Sequence, residues 1–337
     1  MSKLHKLKKI RNIFFEKGIL NFLKILPLLI FWQFLSQKRK NIINKFKRNG
    51  IKKIIIELFT KQDFLIDLED NGLSTDLFFY KKREVHPTDF LLKYFENKNL
   101  DLFIDIGANK GYYTVIIGKF AKNVVAIEPV IKNYNFLLTN LKLNNLENKT
   151  IVKCLALGKQ KEERTILIPK DHNLSKILEH NKDIDKSNCE TQKIKVNTLS
   201  NLFLENNFLE QTFHNSKNIL LKMDVEGWES DILKGAETII KQKNPIIFLE
   251  LHIKLLGKQK TIEILSFLSN HSYEIKKCYA EPPSIWYSSK EIEKKVFEKM
   301  FKKINKHGFG EINLTIEKIL NNEDIIRGNL YNSLDLI

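Results

Sequence analysis

The stretch Leu100–Gly111, LDLFIDIGANKG, with its continuation YYTVIIGKFAKNVVAIEP, restricts this chain more than any other. Leu102, Phe103, Ile104 and Ile106 form the short apolar run that a strand buried on both faces requires. Asp105 and Gly107 stand at its end, and a tight Gly107–Gly111 loop leads into a short amphipathic helix through Tyr112, Tyr113, Val115, Ile116 and Phe120. A second strand, Val124 to Ile127, stops at Glu128. Strand, glycine loop, helix, strand and terminal acid compose the nucleotide-binding half of an open α/β sheet, where ligands sit at the carboxyl ends of the strands.

The loop spacing separates two cofactors. A dinucleotide loop needs G-x-G-x-x-G so that a pyrophosphate can approach the backbone, whereas here Asn109 replaces the middle glycine of Gly107-Ala-Asn-Lys-Gly111. A sulfonium nucleoside such as S-adenosylmethionine suits this loop better. Asp105 would face its cationic end, the backbone at 107–109 would let it approach, and Glu128 would accept from the ribose hydroxyls. Glu128 does not decide the matter, because an acid about twenty residues on also belongs to the NAD pattern. An NAD-linked oxidoreductase, or a glycine turn with no ligand, therefore stays open at this point. The candidate cofactor site comprises Asp105, Gly107, Ala108, Asn109, Gly111, Tyr112, Tyr113, Glu128, Pro129 and, from a third strand over Thr150–Ala156, Ala156.

A second informative block starts at Asn218, NILLKMDVEGWESDILKGAETIIKQKNPIIFLELH. It reads as a buried strand Ile219–Met223 ending in Asp224, a turn at Gly227, a helix from about Trp228 to Lys241, and a strand Ile246–Leu249 ending in Glu250-Leu-His252. In a parallel sheet the two strand ends are neighbours, so Asp224, Glu226, Glu250 and His252 converge as candidate catalytic residues. Glu229 and Asp231 read as acids of a helix's first turn.

Elsewhere the chain is plainer. Phe64 to Val85 reads as a strand, a turn at Asp70-Asn-Gly72 and a returning strand, followed by a helix Thr88–Asn97, an entry element in which nothing demands chemistry. Short strands at Thr165–Ile168 and Lys193–Val196 flank a polar stretch, Lys170 to Gln192, that is a candidate substrate loop. Further on, Thr261–Asn270 reads as a helix, Tyr273–Tyr279 as a strand, Lys290–Lys306 as a charged helix and Glu311–Ile319 as either. The domain reading is a basic, partly apolar arm (1–60), an entry hairpin and helix (61–99), a core (100–280) and a C-terminal helical extension (281–337).

Charge isolates the arm. Residues 1–53 hold fifteen of the 56 Lys and Arg and one acid, Glu16, while the remainder holds 41 bases and 39 acids. The body is thus no nucleic-acid binder by charge. The apolar stretch Ile19–Leu35 is interrupted by Asn21, Lys24 and Pro27 and falls short of the ~20 apolar residues of a membrane span. It reads either as a helix lying on an anionic membrane surface or as an arm packed on the body. Cys154, Cys189 and Cys278 stand far apart, against a disulfide framework and compatible with a cytoplasmic location, with the arm peripheral at the inner face of the membrane.

Six blocks taken together resemble the FkbM family of S-adenosylmethionine-dependent methyltransferases: DIGANKGYYT at 105–114, AIEP at 126–129, NLKLNN at 140–145, ALG at 156–158, LLKMDVEGWESDILKGA at 220–236 and PIIFLELH at 245–252. The resemblance implies an α/β, Rossmann-like class I methyltransferase core, with a mostly parallel seven-stranded sheet and helices on both faces. It also implies methyl transfer to an oxygen of a sugar, glycan or small-molecule acceptor. One departure is Thr198-Leu199-Ser200, where the family commonly carries T-L-D. For the chemistry, His252 has the best unperturbed pKa for a general base at neutral pH, and Glu226 or Asp224 serves if burial raises its pKa. Asp224, Glu250 and His252 also suit a divalent cation, Mg or Mn. Two rival readings are the NAD-linked oxidoreductase and a membrane-associated binding protein with an inactive methyltransferase core.

Overall fold

The computed structural model describes residues 37–70, 72–169, 175–177, 189–280, 290–291 and 312–318. The chain divides into two units, 1–52 and 53–337. In the first, the described part is a helix over 37–48 (α1). The apolar stretch Ile19–Leu35, on which the membrane-surface reading rests, lies outside the described residues, as do most of the polar stretch 170–192 and most of the expected helix Lys290–Lys306. Among the described residues, no helix is long and apolar enough to cross a membrane.

The second unit is built on an eight-stranded sheet. Five strands run parallel: β3 (Leu100–Ile106), β4 (Ala121–Ile127), β5 (Thr150–Lys153), β10 (Ile219–Met223) and β11 (Ile246–Leu251). Three more complete one edge antiparallel: β12 (Tyr273–Ala280), β13 (Lys290–Glu291) and β14 (Ile312–Lys318). Their order is β13-β12-β14-β11-β10-β3-β4-β5, eight strands where seven are expected. A strand covered by helices on both faces must be apolar throughout. Leu102, Phe103 and Ile104 of β3 and Leu220, Leu221 and Met223 of β10 accordingly show no exposure at all. Because β14 lies between β11 and β12, the core does not end at residue 280, and the C-terminal segment is not simply a helical extension.

A second sheet of four strands, β6 (Ala156–Leu157), β7 (Glu162–Pro169), β8 (Lys176–Ile177) and β9 (Cys189–Asn197), has the order β6-β9-β7-β8. The strand expected over 150–156 is therefore two: the chain leaves the main sheet after Lys153, and Ala156 pairs with Val196 instead. The single helix expected over 228–241 is likewise two, α8 (Glu229–Gly235) and α9 (Glu237–Lys243). The hydroxyl of Ser200 donates to the Gly235 carbonyl at 2.9 Å, next to the break at Ala236.

The entry element differs most from expectation. Its hairpin is β1 (Lys53–Glu57) against β2 (Asp63–Asp67), so part of the stretch assigned to the arm belongs here. The expected returning strand is a helix, α2 (Leu73–Tyr80), and α3 spans Val85–Phe95. The Asp70 carboxylate explains the switch: it accepts from the Gly72 N–H at 2.7 Å and the Ser74 N–H at 3.1 Å, occupying amides that open a helix. Asp70 also bonds Lys110 of the glycine loop at 2.7 Å, with both side chains buried. The Asn140 amide, on the helix Ile131–Leu143 (α5), joins the Leu65 backbone to the Lys110 carbonyl. These bonds fasten the entry element to the loop.

Candidate active site

The glycine loop turns left-handed at Gly107 (φ 76°), Asn109 (φ 51°) and Gly111 (φ 91°) before the helix Tyr112–Gly118 (α4). At Gly107 a side chain would force the backbone to shift, because a Cβ would stand 1.8 Å from the Asp224 carbonyl oxygen. The loop after β3 and the loop after β10 thus touch through their backbones. The Asp224 N–H donates to the Ile106 carbonyl at 3.1 Å and completes the junction.

Beside this junction lies an open cleft of about 660 Å³. Gly107, Asn109, Glu128, Pro129, Ala156, Asp224 and Glu226 line it, together with apolar groups that include Ile106, Val130, Leu157, Ile166, Trp228 and Ile232. Glu128 accepts from the Asn109 N–H at 2.8 Å with one oxygen and from the Val130 N–H at 2.9 Å with the other. The second of these oxygens also accepts a long bond from the Asn133 amide at 3.5 Å, and the first keeps a second lone pair for a ligand hydroxyl. Burial raises the Glu128 carboxyl to about 7, against the opposing pull of those backbone amides. Two further buried polar atoms on lining residues, Asn109 Oδ1 and Trp228 Nε1, have no hydrogen-bond partner among the described residues. An apolar cleft with a ribose-accepting acid, one orphaned donor and one orphaned acceptor suits a nucleoside.

Other expected cofactor residues lie outside the cleft wall. Asp105 is fully buried beneath the loop; its Oδ2 accepts from Thr114 Oγ1 at 2.6 Å, and its Oδ1 stands 3.4 Å from Lys222 Nζ. It therefore meets a lysine of its own chain where a cationic ligand end was expected. Lys222 is its register partner across β3 and β10 and also lies 5.0 Å from the centre of the Tyr113 ring. Burial would lower the Lys222 pKa, but Asp105, Asp224, Glu84 and Glu250 hold it above the ordinary lysine value. Tyr112 and Tyr113 turn to the entry element: the Tyr112 hydroxyl accepts from the Arg83 N–H at 3.1 Å, and the Tyr113 hydroxyl donates to Glu84 at 2.6 Å. Ala108 and Gly111 shape the loop and do not reach the cleft.

The structure brings the four acceptor-side residues together. His252 is buried, and its Nε2 faces Glu226 at 3.4 Å, Asp224 at 3.7 Å and Glu250 at 3.9 Å. Its Nδ1 bonds Glu229 at 2.6 Å. Burial pulls the imidazole pKa down, but the Glu229 bond and the charges of Glu226, Glu229 and Asp224 outweigh it, and it stands at about 10. These acids favour the protonated ring, which weighs against the expected use of His252 as a general base. Glu229, read from sequence as a helix-start acid, is wholly buried and acts as the partner of His252. Arg83, in the element where nothing demanded chemistry, pairs with Glu84 at 2.9 Å and shares the field of Glu250. No local pattern marks Glu229, whose partner His252 lies 23 residues on, and Arg83, paired with its neighbour Glu84, comes into the field of Glu250 only through the fold. Ser200, the departure from T-L-D, binds the Gly235 carbonyl and does not line the cleft.

A mostly parallel sheet with a cleft at the carboxyl ends of its strands is a Rossmann-like arrangement. The family described as the methyltransferase FkbM domain matches residues 105–275, half of the chain, and the protein belongs to that family of S-adenosylmethionine-dependent methyltransferases. Among solved structures, the methyltransferase FkbM from Methylobacillus flagellatus KT is similar at 14% identity and a TM-score of 0.39, over 64% of this chain and 44% of that one. The present chain therefore spans less than half of that protein's length. TYW2 of M. jannaschii, in complex with AdoMet, is similar at 12% identity and a TM-score of 0.38, over 80% of this chain and 87% of that one. The tRNA methyltransferase TrmK of B. subtilis is similar at 10% identity and a TM-score of 0.37, over 69% and 66%. No curated protein matches the chain. Membership rests on the family match.

Proposed function

We propose that this protein methylates a hydroxyl oxygen on a sugar, a glycan or another small polyhydroxylated acceptor. The observation that carries the reading is the set of carboxylates, Asp224, Glu226 and Glu250, gathered around His252, with Asp224 and Glu226 on the cleft wall. Ionised carboxylates only accept hydrogen bonds, so they favour an acceptor that presents hydroxyl donors and repel an anionic one.

S-Adenosylmethionine, when bound, supplies an electrophilic methyl on a cationic sulfur. The backbone at Gly107 and the Glu128 carboxylate would orient its nucleoside, and the apolar walls exclude water. Asp224 or Glu226 would hold the acceptor hydroxyl and receive its proton as the oxygen reacts. Such a base must lie within hydrogen-bond reach of the oxygen, itself held about 3–3.5 Å from the reacting carbon. His252, held through Nδ1 by Glu229, would orient these carboxylates.

Calorimetric titration with S-adenosylhomocysteine and, separately, with NAD(H) tests the cofactor. The first is expected to bind and the second is not; NAD(H) binding alone would make the protein an oxidoreductase. Transfer of a deuterated methyl group, followed by mass spectrometry over a panel of glycosides, phenols, amines and carboxylic acids, tests the acceptor. Label appearing on nitrogen rather than on a hydroxyl would overturn the oxygen assignment.

A further inference from the structure

The carboxylate cluster has a feature that hydroxyl recognition does not use. The Nε2 atom of His252 belongs to a side chain with only 3% exposure, points into the cluster, and makes no hydrogen bond among the described residues. A charge-assisted N–H···O bond closes to about 2.7–2.9 Å, whereas the nearest carboxylate oxygens stand off at 3.4 Å (Glu226) and 3.7 Å (Asp224). The Glu226 separation is one that co-ligands of a single ion adopt, and the Asp224 separation lies just beyond it. Two donor atoms held ~2.1–2.2 Å from one cation, at octahedral or tetrahedral angles, lie roughly 3.0–3.6 Å from each other. One donor atom from each of Asp224, Glu226 and His252 falls within 4.8 Å of the other two.

The support behind the ring matches. Glu229 is fully buried and receives the Nδ1 proton at 2.6 Å. The same Glu229 oxygen accepts the Gly227 N–H at 3.2 Å, which ties the turn carrying Glu226 to the ring. A buried carboxylate behind the imidazole fixes the tautomer in which the Nε2 lone pair faces outward, the arrangement that accompanies metal-ligating histidines.

The geometry points to a divalent-cation site formed by Asp224, Glu226 and His252, with Glu229 orienting the imidazole, at the acceptor end of the cleft. Two carboxylates and one imidazole suit Mn²⁺, which takes both oxygen and nitrogen donors. The ion replaces the Nε2 proton and neutralises the cluster. Because Asp224 and Glu226 line the cleft, an ion between them faces the space where two neighbouring hydroxyls of a polyol can complete its coordination. There it acts as a Lewis acid on the oxygen to be methylated. That last role rests on the methyl-transfer reading; the site itself does not.

The test uses the full chain stripped with a chelator, Mn²⁺ titrated with free ion followed by electron paramagnetic resonance, and S-adenosylhomocysteine titrated into the same samples. One Mn²⁺ per chain is expected. Asp224→Asn and Glu226→Gln, at partly exposed positions, should each weaken it at least tenfold. Glu229→Gln keeps all three ligands yet frees the ring, and should weaken Mn²⁺ ~10–100-fold, the usual loss for such a partner. Asp231→Asn, on the same helix, should change nothing. The site is overturned if wild type binds S-adenosylhomocysteine but holds no more Mn²⁺ than an Asp224→Asn/Glu226→Gln double variant, or if the single variants bind Mn²⁺ as tightly as wild type. Mn²⁺ binding without S-adenosylhomocysteine binding would leave the site standing and overturn the methyl-transfer reading.

Discussion

Gly107 and Asp224 meet backbone to backbone, so closely that a methyl group on the glycine would stand 1.8 Å from the aspartate's carbonyl oxygen. Through this contact the loop that shapes the nucleoside end of the cleft and the turn that begins the acceptor end share one wall. Gly107→Ala should therefore damage both. Its φ of 76° already strains an alanine, and the collision adds to that strain. We expect a loss of about 3 kcal/mol in urea unfolding and at least a tenfold loss of S-adenosylhomocysteine affinity. An alanine variant with unchanged affinity would show that the two loops move independently.

Lys222 and Asp105 form a buried pair on adjacent strands. Removing Lys222 strands the buried Asp105 charge, at a cost of about 3–5 kcal/mol, whereas Lys222 without Asp105 keeps Asp224 at 3.7 Å. Lys222→Met should therefore lower stability in urea unfolding by that measure, and Asp105→Asn by less. The double variant should lose less than the sum, because the second change removes the charge that the first left unpaired. Strict additivity would mean that the two do not interact.

Asp70 and Lys110 pin the entry element to the glycine loop. Burial raises the Asp70 pKa, but the Lys110 charge and hydrogen bond, with the Gly72 and Ser74 contacts, lower it to about 2. A depressed carboxylate contributes stability above its unfolded value near 3.8, and that contribution is lost as pH falls through about 2. Acid unfolding should accordingly begin at higher pH in Lys110→Met than in wild type. Circular dichroism against pH checks this.

Glu128 sets a pH dependence for cofactor binding. Its carboxyl stands near 7 in the free protein, while ribose hydroxyls donate to the ionised form. Below about pH 7 the ligand competes with a proton, so affinity should fall towards ~tenfold per pH unit and level off above pH 8. Glu128→Gln should bind more weakly at pH 8 and show no such slope. A wild-type profile flat from pH 5 to 8 would exclude the carboxylate from the ribose contact.

The β3 strand, the glycine loop, Glu128 and the two strands ending at Asp224 and Glu250 were legible in the chain itself. Their apolar runs must be buried on both faces, and their turns need particular residues, so local chemistry alone specifies them. The partners of those residues were not legible. Lys222 stands within an apolar strand, and only the β3–β10 register puts Asp105 beside it. Glu229 looked like a first-turn acid until the chain brought His252, 23 residues on, to 2.6 Å. The strand expected over 73–85 became a helix because the Asp70 carboxylate, held by Lys110 40 residues away, caps it. A lone sequence specifies which groups are charged and which segments must hide from water. Only the fold decides which charges neutralise one another, because burial turns a pairing worth little in water into one that sets protonation and position.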